Sequence, residues 1–237
     1  KKILFFEDID STNNKAKKIA FDEDEGKVVI SKMQKTGRGR RGREWHSPKG
    51  GIYVSFVLKP NIPPEMAPQM TLVASLALVQ TINSIDEKLN AKIKWPNDIL
   101  IDGKKLSGIL TELSSDVEKI NYIVVGVGIN LNTEIDVLPE NGTSLKRELN
   151  QDVSTKLFLK SFLESFDLIY QEYKNGEINE IIGRWKDNSD TLGKKVNIVG
   201  IKENYTGFAK NIDGNGALIL ETERGEVKVY SGDVSLR

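Results

Sequence analysis

Residues 34–53 read Q-K-T-G-R-G-R-R-G-R-E-W-H-S-P-K-G-G-I-Y. Five cations, Lys35, Arg38, Arg40, Arg41 and Arg43, fall within nine residues and alternate with Gly37, Gly39 and Gly42. Glycine lets the backbone come close to a ligand, and guanidinium forks match carboxylate and phosphate oxygens, so the stretch describes a loop that surrounds an anion. Its glycines oppose a stable helix and its charges oppose burial as a strand, which predicts a mobile loop in the absence of ligand. The plain alternative is a solvated basic surface. Gly37-x-Gly39-x-x-Gly42 matches a dinucleotide-binding fingerprint in letters only. That fingerprint must open a helix, whereas Ser47-Pro48-Lys49-Gly50-Gly51 turns this chain into the strand-like residues 52–58. No G-x-x-x-x-G-K-[ST] occurs, which excludes a P-loop by pattern. An arginine-glycine nucleic-acid binder needs a disordered, basic chain.

The chain is neither. Its 237 residues carry 34 Lys and Arg against 34 Asp and Glu, so the basic loop is a local feature of a neutral protein and its partner is small. The length suits one or two domains. With no cysteine there are no disulfides, zinc-thiolate sites or thiol catalysis; together with the lack of a signal peptide this favours a cytoplasmic protein. No apolar run spans a membrane, and with a single histidine, His46, which neighbours the loop, neither a histidine-based triad nor a histidine-rich metal site is expected.

Along the chain, residues 1–6 read as a strand, and Asp10-Ser11-Thr12-Asn13 offers capping oxygens to a helix ending near Phe21. Residues 27–33 form a β-branched strand that delivers Gln34 and the loop, and residues 60–68 an extended connection. Residues 69–85 are apolar or small at helical length, predicting a helix buried on most sides. Asp102-Gly103 marks a hairpin between sheet-like segments that hold Lys94, Asn97, Asp98 and Lys105 at strand ends or turns. The strand at 121–127 runs into G-V-G-I-N at 126–130, where glycines imply close approach or a bulge. A helix-like stretch begins at 143–149. Leu157, Phe158, Phe162, Phe166, Ile169 and Tyr173 then mark an amphipathic helix stopped by Asn175-Gly176, and Ile178, Ile181, Ile182 and Trp185 mark a shorter one. From Gly193 short strands at 195–199, 205–210, 217–221 and 226–230 predict a small barrel.

Ser11-Thr12-Asn13, Gln34 with G-R-G-R-R-G-R-E-W, K-W-P-N-D followed by K-K-L-S-G-I-L, and G-V-G-I-N stand in this order over roughly 120 residues. Their conjunction closely resembles the biotin–protein ligase family, and the ending Gly232-Asp233-Val234-Ser235-Leu236-Arg237 fits it too. The resemblance implies an α+β fold, with a mixed central sheet and flanking helices of the class II synthetase-like, biotin–lipoate ligase type, and a small C-terminal SH3-like β-barrel. It places the catalytic domain at 1–190 and the barrel at 191–237. The family's two-function members carry an N-terminal helix-turn-helix domain, whereas here the catalytic pattern starts almost at Lys1. The expectation is therefore the monofunctional form, with no nucleic-acid or membrane partner.

What the resemblance implies chemically is ATP-dependent formation of biotinyl-5′-adenylate with Mg2+, then transfer of biotin to a lysine of a biotin carboxyl-carrier domain of a carboxylase. By similarity Ser11, Thr12, Asn13 and Gln34 meet the ureido end of biotin, and Gly37, Gly108 and Gly126 let it lie against backbone. Arg38, Arg40, Arg43, Lys94 and Lys105 offset the charge of two reacting anions. Trp45 stacks on adenine, while Asn97 and Asn130 meet the nucleotide. Lys105, Arg40 and Asp98 form the catalytic group, Asp98 orienting the acceptor lysine or taking its proton. A homodimer is a lean from the family. The runner-up enzyme is a lipoate–protein ligase of the same fold. A non-catalytic biotin- or nucleotide-binding protein is the reading from another class, in which Lys105 and Asp98 serve no purpose.

Overall fold

Alternation of large apolar residues with glycine and hydroxyl residues decides how the central sheet is covered. A computed structural model describes residues 2–22, 24–117, 119–200 and 203–236; Lys1 and Arg237, which belong to the expected first strand and C-terminal motif, lie outside them. The strands are β1 (Ile3–Phe6), β2 (Val28–Ser31), β3 (Ile52–Leu58), β4 (Lys92–Lys94), β5 (Asp98–Ile101), β6 (Lys104–Ser115) and β7 (Ile120–Ile129). They lie in the order β1-β2-β3-β7-β6-β5-β4. β1 and β2 run parallel and the other neighbours antiparallel, so the sheet is mixed, as expected.

Successive strand residues point to opposite faces. On one face Ile52, Val54, Phe56 and Leu58 of β3 join Ile123, Val125, Val127 and Ile129 of β7 in the main core. This face is covered by α2 (Gln69–Asn83), α4 (Thr155–Lys174) and α5 (Ile178–Asp187). α2 is buried on nearly every side, as its composition predicts, and Phe56 stacks on Phe166 of α4 with 3.9 Å between ring centres. α4 ends at Asn175-Gly176, where Gly176 takes φ 88°, a left-handed turn that glycine adopts without a Cβ clash.

The opposite face is covered only in part. α1 (Thr12–Ala20), capped by the Ser11 hydroxyl accepting from Asn14 N at 3.4 Å, packs Ala16 and Ala20 on Val29, Val57, Tyr122 and Val124. Farther along the same strands the residues of this parity are Ser31, Tyr53, Ser55, Gly126 and Gly128. Large apolar side chains give way there to small and polar ones, and a cavity forms.

A short helix, α3 (Leu145–Leu149), follows β7. Beyond α5 the strands β8 (Lys195–Val199), β9 (Asn204–Ile212), β10 (Leu218–Thr222), β11 (Gly225–Val229) and β12 (Asp233–Leu236) make a second sheet in the order β11-β10-β9-β8-β12. Where a four-stranded barrel was expected, the described residues form five antiparallel strands with β11 and β12 at the two ends. The fifth strand is only four residues long and pairs with β8, which gives its backbone groups partners and buries Val234 in the core. This sheet is fastened to the first by Trp95 Nε1 donating to Gly216 O at 2.9 Å and Gln69 Nε2 to Gly214 O at 2.8 Å.

Candidate active site

A cavity of about 120 Å³ opens on the half-covered face. Its floor follows from strand register: Gly128 of β7 lies opposite both Tyr53 of β3 and Gly108 of β6, and Gly108 lies opposite Asp98 of β5. The Trp45 indole occupies the room that the missing side chains leave. A Cβ at Gly128 would stand 2.3 Å from Trp45 Nε1, and one at Gly108 would stand 2.9 Å from its ring. Trp45 Nε1 is buried and has no hydrogen-bond partner among the described residues.

One end of the cavity is a network of hydroxyl and amide groups. Thr12 donates to Gln34 Oε1 through both its backbone N at 2.8 Å and its Oγ1 at 3.0 Å, and Gln34 Nε2 donates to Ser47 Oγ at 2.9 Å. Ser55 Oγ lies 2.8 Å from Thr12 Oγ1 and 2.6 Å from Asn13 Oδ1. Asn13 Nδ2 in turn donates to Glu112 Oε2 at 2.9 Å. Glu112 Oε1 takes Lys17 Nζ at 2.9 Å and lies 3.3 Å from Arg38 Nη1. Burial pushes the Glu112 carboxyl up. Hydrogen bonds from Asn13 and Lys17 and the charges of Lys17 and Arg38 outweigh it, so the net shift is downward and the group is held as a carboxylate. A polar network whose members are paired this way fixes the shape of one end of the site.

The other end is basic. The loop closes as a tight hairpin: Gly39 N donates to Arg43 O at 2.7 Å, Trp45 N donates to Gly37 O at 2.9 Å, and Arg43 N donates to Arg40 O at 3.1 Å across a left-handed turn with Arg41 at φ 56° and Gly42 at φ 73°. Backbone bonds across the turn and guanidinium contacts hold this conformation together. Arg40 Nη1 donates to Asn97 Oδ1 at 2.8 Å, and burial, with the charge of Arg41 next, lowers its pKa. Arg41 Nη1 and Arg43 Nη2 both meet Asp233 Oδ2 of β12.

Lys105 reaches this end through a bulge. Ile99 pairs with Ser107 and Leu100 with Lys105, leaving Leu106 as an extra residue on β6. Strict alternation from Gly108 would aim Leu106 at the cavity and Lys105 at the core. The bulge reverses the parity: Leu106 is in the core and Lys105 lines the cavity. Lys105 Nζ stands 2.7 Å from Asp98 Oδ1 and 5.3 Å from the centre of the Trp45 ring. The contact with Asp98 is an ion pair off hydrogen-bond geometry, and that oxygen has no hydrogen-bond donor among the described residues.

Thirteen residues singled out from sequence line the cavity together: Ser11, Thr12, Asn13, Gln34, Arg38, Arg40, Arg43, Trp45, Asn97, Asp98, Lys105, Gly108 and Gly126. Gly37, Lys94 and Asn130 are not among its lining residues. Gly37 is packed against its own loop, where a Cβ would stand 2.2 Å from Trp45 O. Lys94 ends β4 opposite Asp98, one strand farther from the glycine floor. Asn130 is buried and donates to Thr143 O at 3.0 Å, holding residues 139–143 beside Lys105. Gly126 has a neighbour other than the one read from sequence, since a Cβ there would stand 2.0 Å from Asn13 Oδ1. Sequence reasoning passed over Ser55 and Glu112 and took Asp233 only as part of the C-terminal motif, with no place in the site. Ser55 had a signal, a hydroxyl in an otherwise apolar strand.

The sequence matches the Biotin/lipoate A/B protein ligase family over residues 5–130 and the Biotin protein ligase C terminal domain over residues 191–237. It is 35% identical over 240 residues to the bifunctional ligase/repressor BirA of Bacillus spizizenii, covering 98% of this chain and 74% of that one. The chain belongs to the biotin–protein ligase family. It is therefore a ligase by family, and it is also 32% identical over 232 residues to the biotin–[acetyl-CoA-carboxylase] ligase of Paracoccus denitrificans, covering 95% of this chain and 96% of that protein. The fold agrees as well. A biotin protein ligase from Aquifex aeolicus, in complex with biotin and ATP, matches with a TM-score of 0.85 at 30% identity over 100% of this chain and 99% of that one. Among the described residues no helix of this ligase is long and apolar enough to cross a membrane.

Proposed function

We propose that this ligase activates biotin with ATP as biotinyl-5′-adenylate and then passes the biotinyl group to a lysine of a biotin carboxyl-carrier domain. The observation that carries the reading is the two-ended cavity: a neutral hydroxyl and amide network from α1, Gln34, Ser47 and Ser55 faces one way, Arg40, Arg43 and Lys105 gather at the other, and Arg38 stands beside Glu112 between them. A ureido ring is neutral and needs matched donors and acceptors, which suits the first end. Carboxylate and phosphate are both anions, which suits the second.

In the first step a biotin carboxylate oxygen bonds to the α-phosphorus of ATP and the bond to pyrophosphate breaks. Arg38, Arg40, Arg43 and Lys105 offset the repulsion of the two anions and stabilise charge that gathers on the transferring group. In the second step the acceptor amine attacks the acyl carbon, AMP leaves, and the amine gives up a proton. Lys105 stabilises the oxyanion, and Asp98 beside it orients the acceptor or takes that proton. Asn97 meets the nucleotide through the cavity, and Lys94 and Asn130 act from outside it, by charge and by holding residues 139–143. Among the described residues no cluster of three or more His, Cys, Asp or Glu is arranged to hold a metal, so magnesium in this reading travels with ATP as substrate, held by phosphate and water.

Access for a protein acceptor is supported by a neighbouring groove of about 610 Å³ that shares Arg40, Asn97 and Ile109 with the cavity and runs past Leu113 to Tyr230 of the C-terminal region. The test is a mass measurement after incubation with biotin, ATP and magnesium, repeated with a biotin carboxyl-carrier domain and with lipoate in place of biotin. Biotinyl-adenylate in the first arm and a single biotinylated lysine in the second are expected. Adenylate from lipoate alone would assign the other branch of the family, and none from either would refute the reaction.

A further inference from the structure

Two guanidinium groups of the loop already hold an anion, and it comes from the far end of the chain. Arg41 Nη1 lies 3.1 Å from Asp233 Oδ2 and 3.1 Å from Val199 O, and Arg43 Nη2 closes on the same carboxylate oxygen. Asp233 lines the cavity together with Arg38, Arg40 and Arg43. Arg40, immediately before Arg41 in sequence, points instead to Asn97 Oδ1 and, at 3.5 Å, to Gly232 O. Arg41 sits at φ 56°, a left-handed conformation disfavoured for a residue with a Cβ, and its side chain is the one fixed twice on the C-terminal sheet. The loop's backbone shape and the position of β12 are thus tied through one carboxylate.

A carboxylate and a phosphate ask for the same thing from a guanidinium: two parallel N–H donors and a positive charge. We propose that Asp233 occupies, in the ligand-free enzyme, the position that a nucleotide phosphate takes on Arg43, so that ATP binds by displacing it. The two anions exclude each other. A phosphate arriving at Arg43 meets like charge unless Asp233 leaves, and once Asp233 leaves, Arg41 loses one of its two anchors on the C-terminal sheet. By linkage, whatever loosens the contact between the loop and β12 favours the nucleotide, and the nucleotide loosens that contact. Asp233 is in this sense a positioning residue that makes nucleotide entry and the junction of the two sheets one event. The identity of the anion as ATP rests on the function proposed above; the competition itself does not.

The experiment separates the two. Inorganic tripolyphosphate, ATP and biotin are titrated calorimetrically into wild-type enzyme and into Asp233→Asn, Asp233→Ser and Asp233→Glu, with circular dichroism to check folding. The neutral variants should bind tripolyphosphate and ATP roughly 2- to 10-fold tighter, a range set by releasing two partly exposed ion pairs. Their affinity for biotin should stay put, the KM for ATP should fall while that for biotin does not, and Asp233→Glu should restore wild-type behaviour. A merely structural carboxylate would give the opposite sign, since its removal would loosen the loop and weaken anion binding. Unchanged or weaker tripolyphosphate binding by both folded neutral variants overturns the proposal even if biotinyl-adenylate forms. Failure of the wild type to form biotinyl-adenylate refutes the function while leaving the tripolyphosphate comparison readable.

Discussion

Replacing Gly126 by alanine tests whether this glycine is there for Asn13. The added methyl would stand 2.0 Å from Asn13 Oδ1 and 2.7 Å from its Cγ, well inside contact distance. Asn13 has nowhere cheap to go: it is buried, Ser55 Oγ donates to its Oδ1 at 2.6 Å, and its Nδ2 donates to Glu112 Oε2 at 2.9 Å. Overpacking of this kind costs about 1–3 kcal/mol. Loss of one buried hydrogen bond adds about 0.5–1.5 kcal/mol. The sum, about 1.5–4.5 kcal/mol, corresponds to a fall in melting temperature of roughly 3–18 °C for a protein of this size. Biotin affinity should fall with it, because Ser11 and Thr12 share the turn that Asn13 anchors.

A double-mutant cycle, read by thermal and urea unfolding, checks the cause. Asn13→Ala alone loses its hydrogen bonds and destabilises the enzyme. With Gly126→Ala it also removes the atom that the methyl strikes, so the double variant should be more stable than the sum of the singles by at least about 1 kcal/mol. Gly126→Ala melting within 1 °C of wild type, or additivity in the cycle, would mean that the glycine serves something other than Asn13.

Lys105→Ala should leave the melting temperature nearly unchanged, since a partly exposed ion pair contributes about 0–1 kcal/mol, yet slow adenylate formation by roughly 10²-fold or more because in the proposed reaction its charge faces the two reacting anions; pyrophosphate release in a single turnover reads this directly, and a wild-type rate would make Lys105 a surface charge. Glu112 has a folded pKa below its unfolded value, so its contribution to stability is complete above the unfolded glutamate pKa of about 4.3 and is lost as pH falls through the lower folded value. Glu112→Gln should accordingly show a shallower acid limb in stability against pH, and superimposable limbs would remove Glu112 from the network. Trp45 covers Gly108 and Gly128 and lines the cavity, so a ligand bound there alters the surroundings of its indole. Saturating biotin should change tryptophan emission in the wild type and leave it unchanged in Trp45→Phe, where the buried Trp95 and Trp185 remain; the same change in both would place the signal elsewhere.

The arginine loop, the buried helix α2 and the Asp102-Gly103 hairpin could be read from local sequence because each is decided by residues within one turn or a few. Glu112 and Asp233 could not. Glu112 follows a run of sheet-like residues, and only the register of β6 on β7 brings it beneath Asn13, almost a hundred residues earlier in the chain. Asp233 opens a four-residue strand, and its meaning depends on a second sheet being fastened by Trp95 and Gln69 so that β12 faces the loop. Lys105 illustrates a subtler limit. Resemblance to the family pointed to it, but strict alternation from Gly108 predicts that it faces the core, and one extra residue in β6 changes the answer.

The glycines show why pattern and mechanism must be argued separately. Reading Gly108 and Gly126 as room for a ligand treated the two alike, whereas their neighbours differ in kind. At Gly126 the adjacent group is a buried, hydrogen-bonded amide that belongs to the folded state. At Gly108 and Gly128 it is an indole on a loop, whose Nε1 has no partner among the described residues and whose ring lies 5.3 Å from the Lys105 ammonium. A side chain lacking a polar partner can be moved at lower free energy than one bonded, like Asn13, to Ser55, Glu112 and Leu110 O. Gly108 and Gly128 therefore mark the part of the floor that a ligand can claim, and Gly126 the part that the enzyme keeps for its own network.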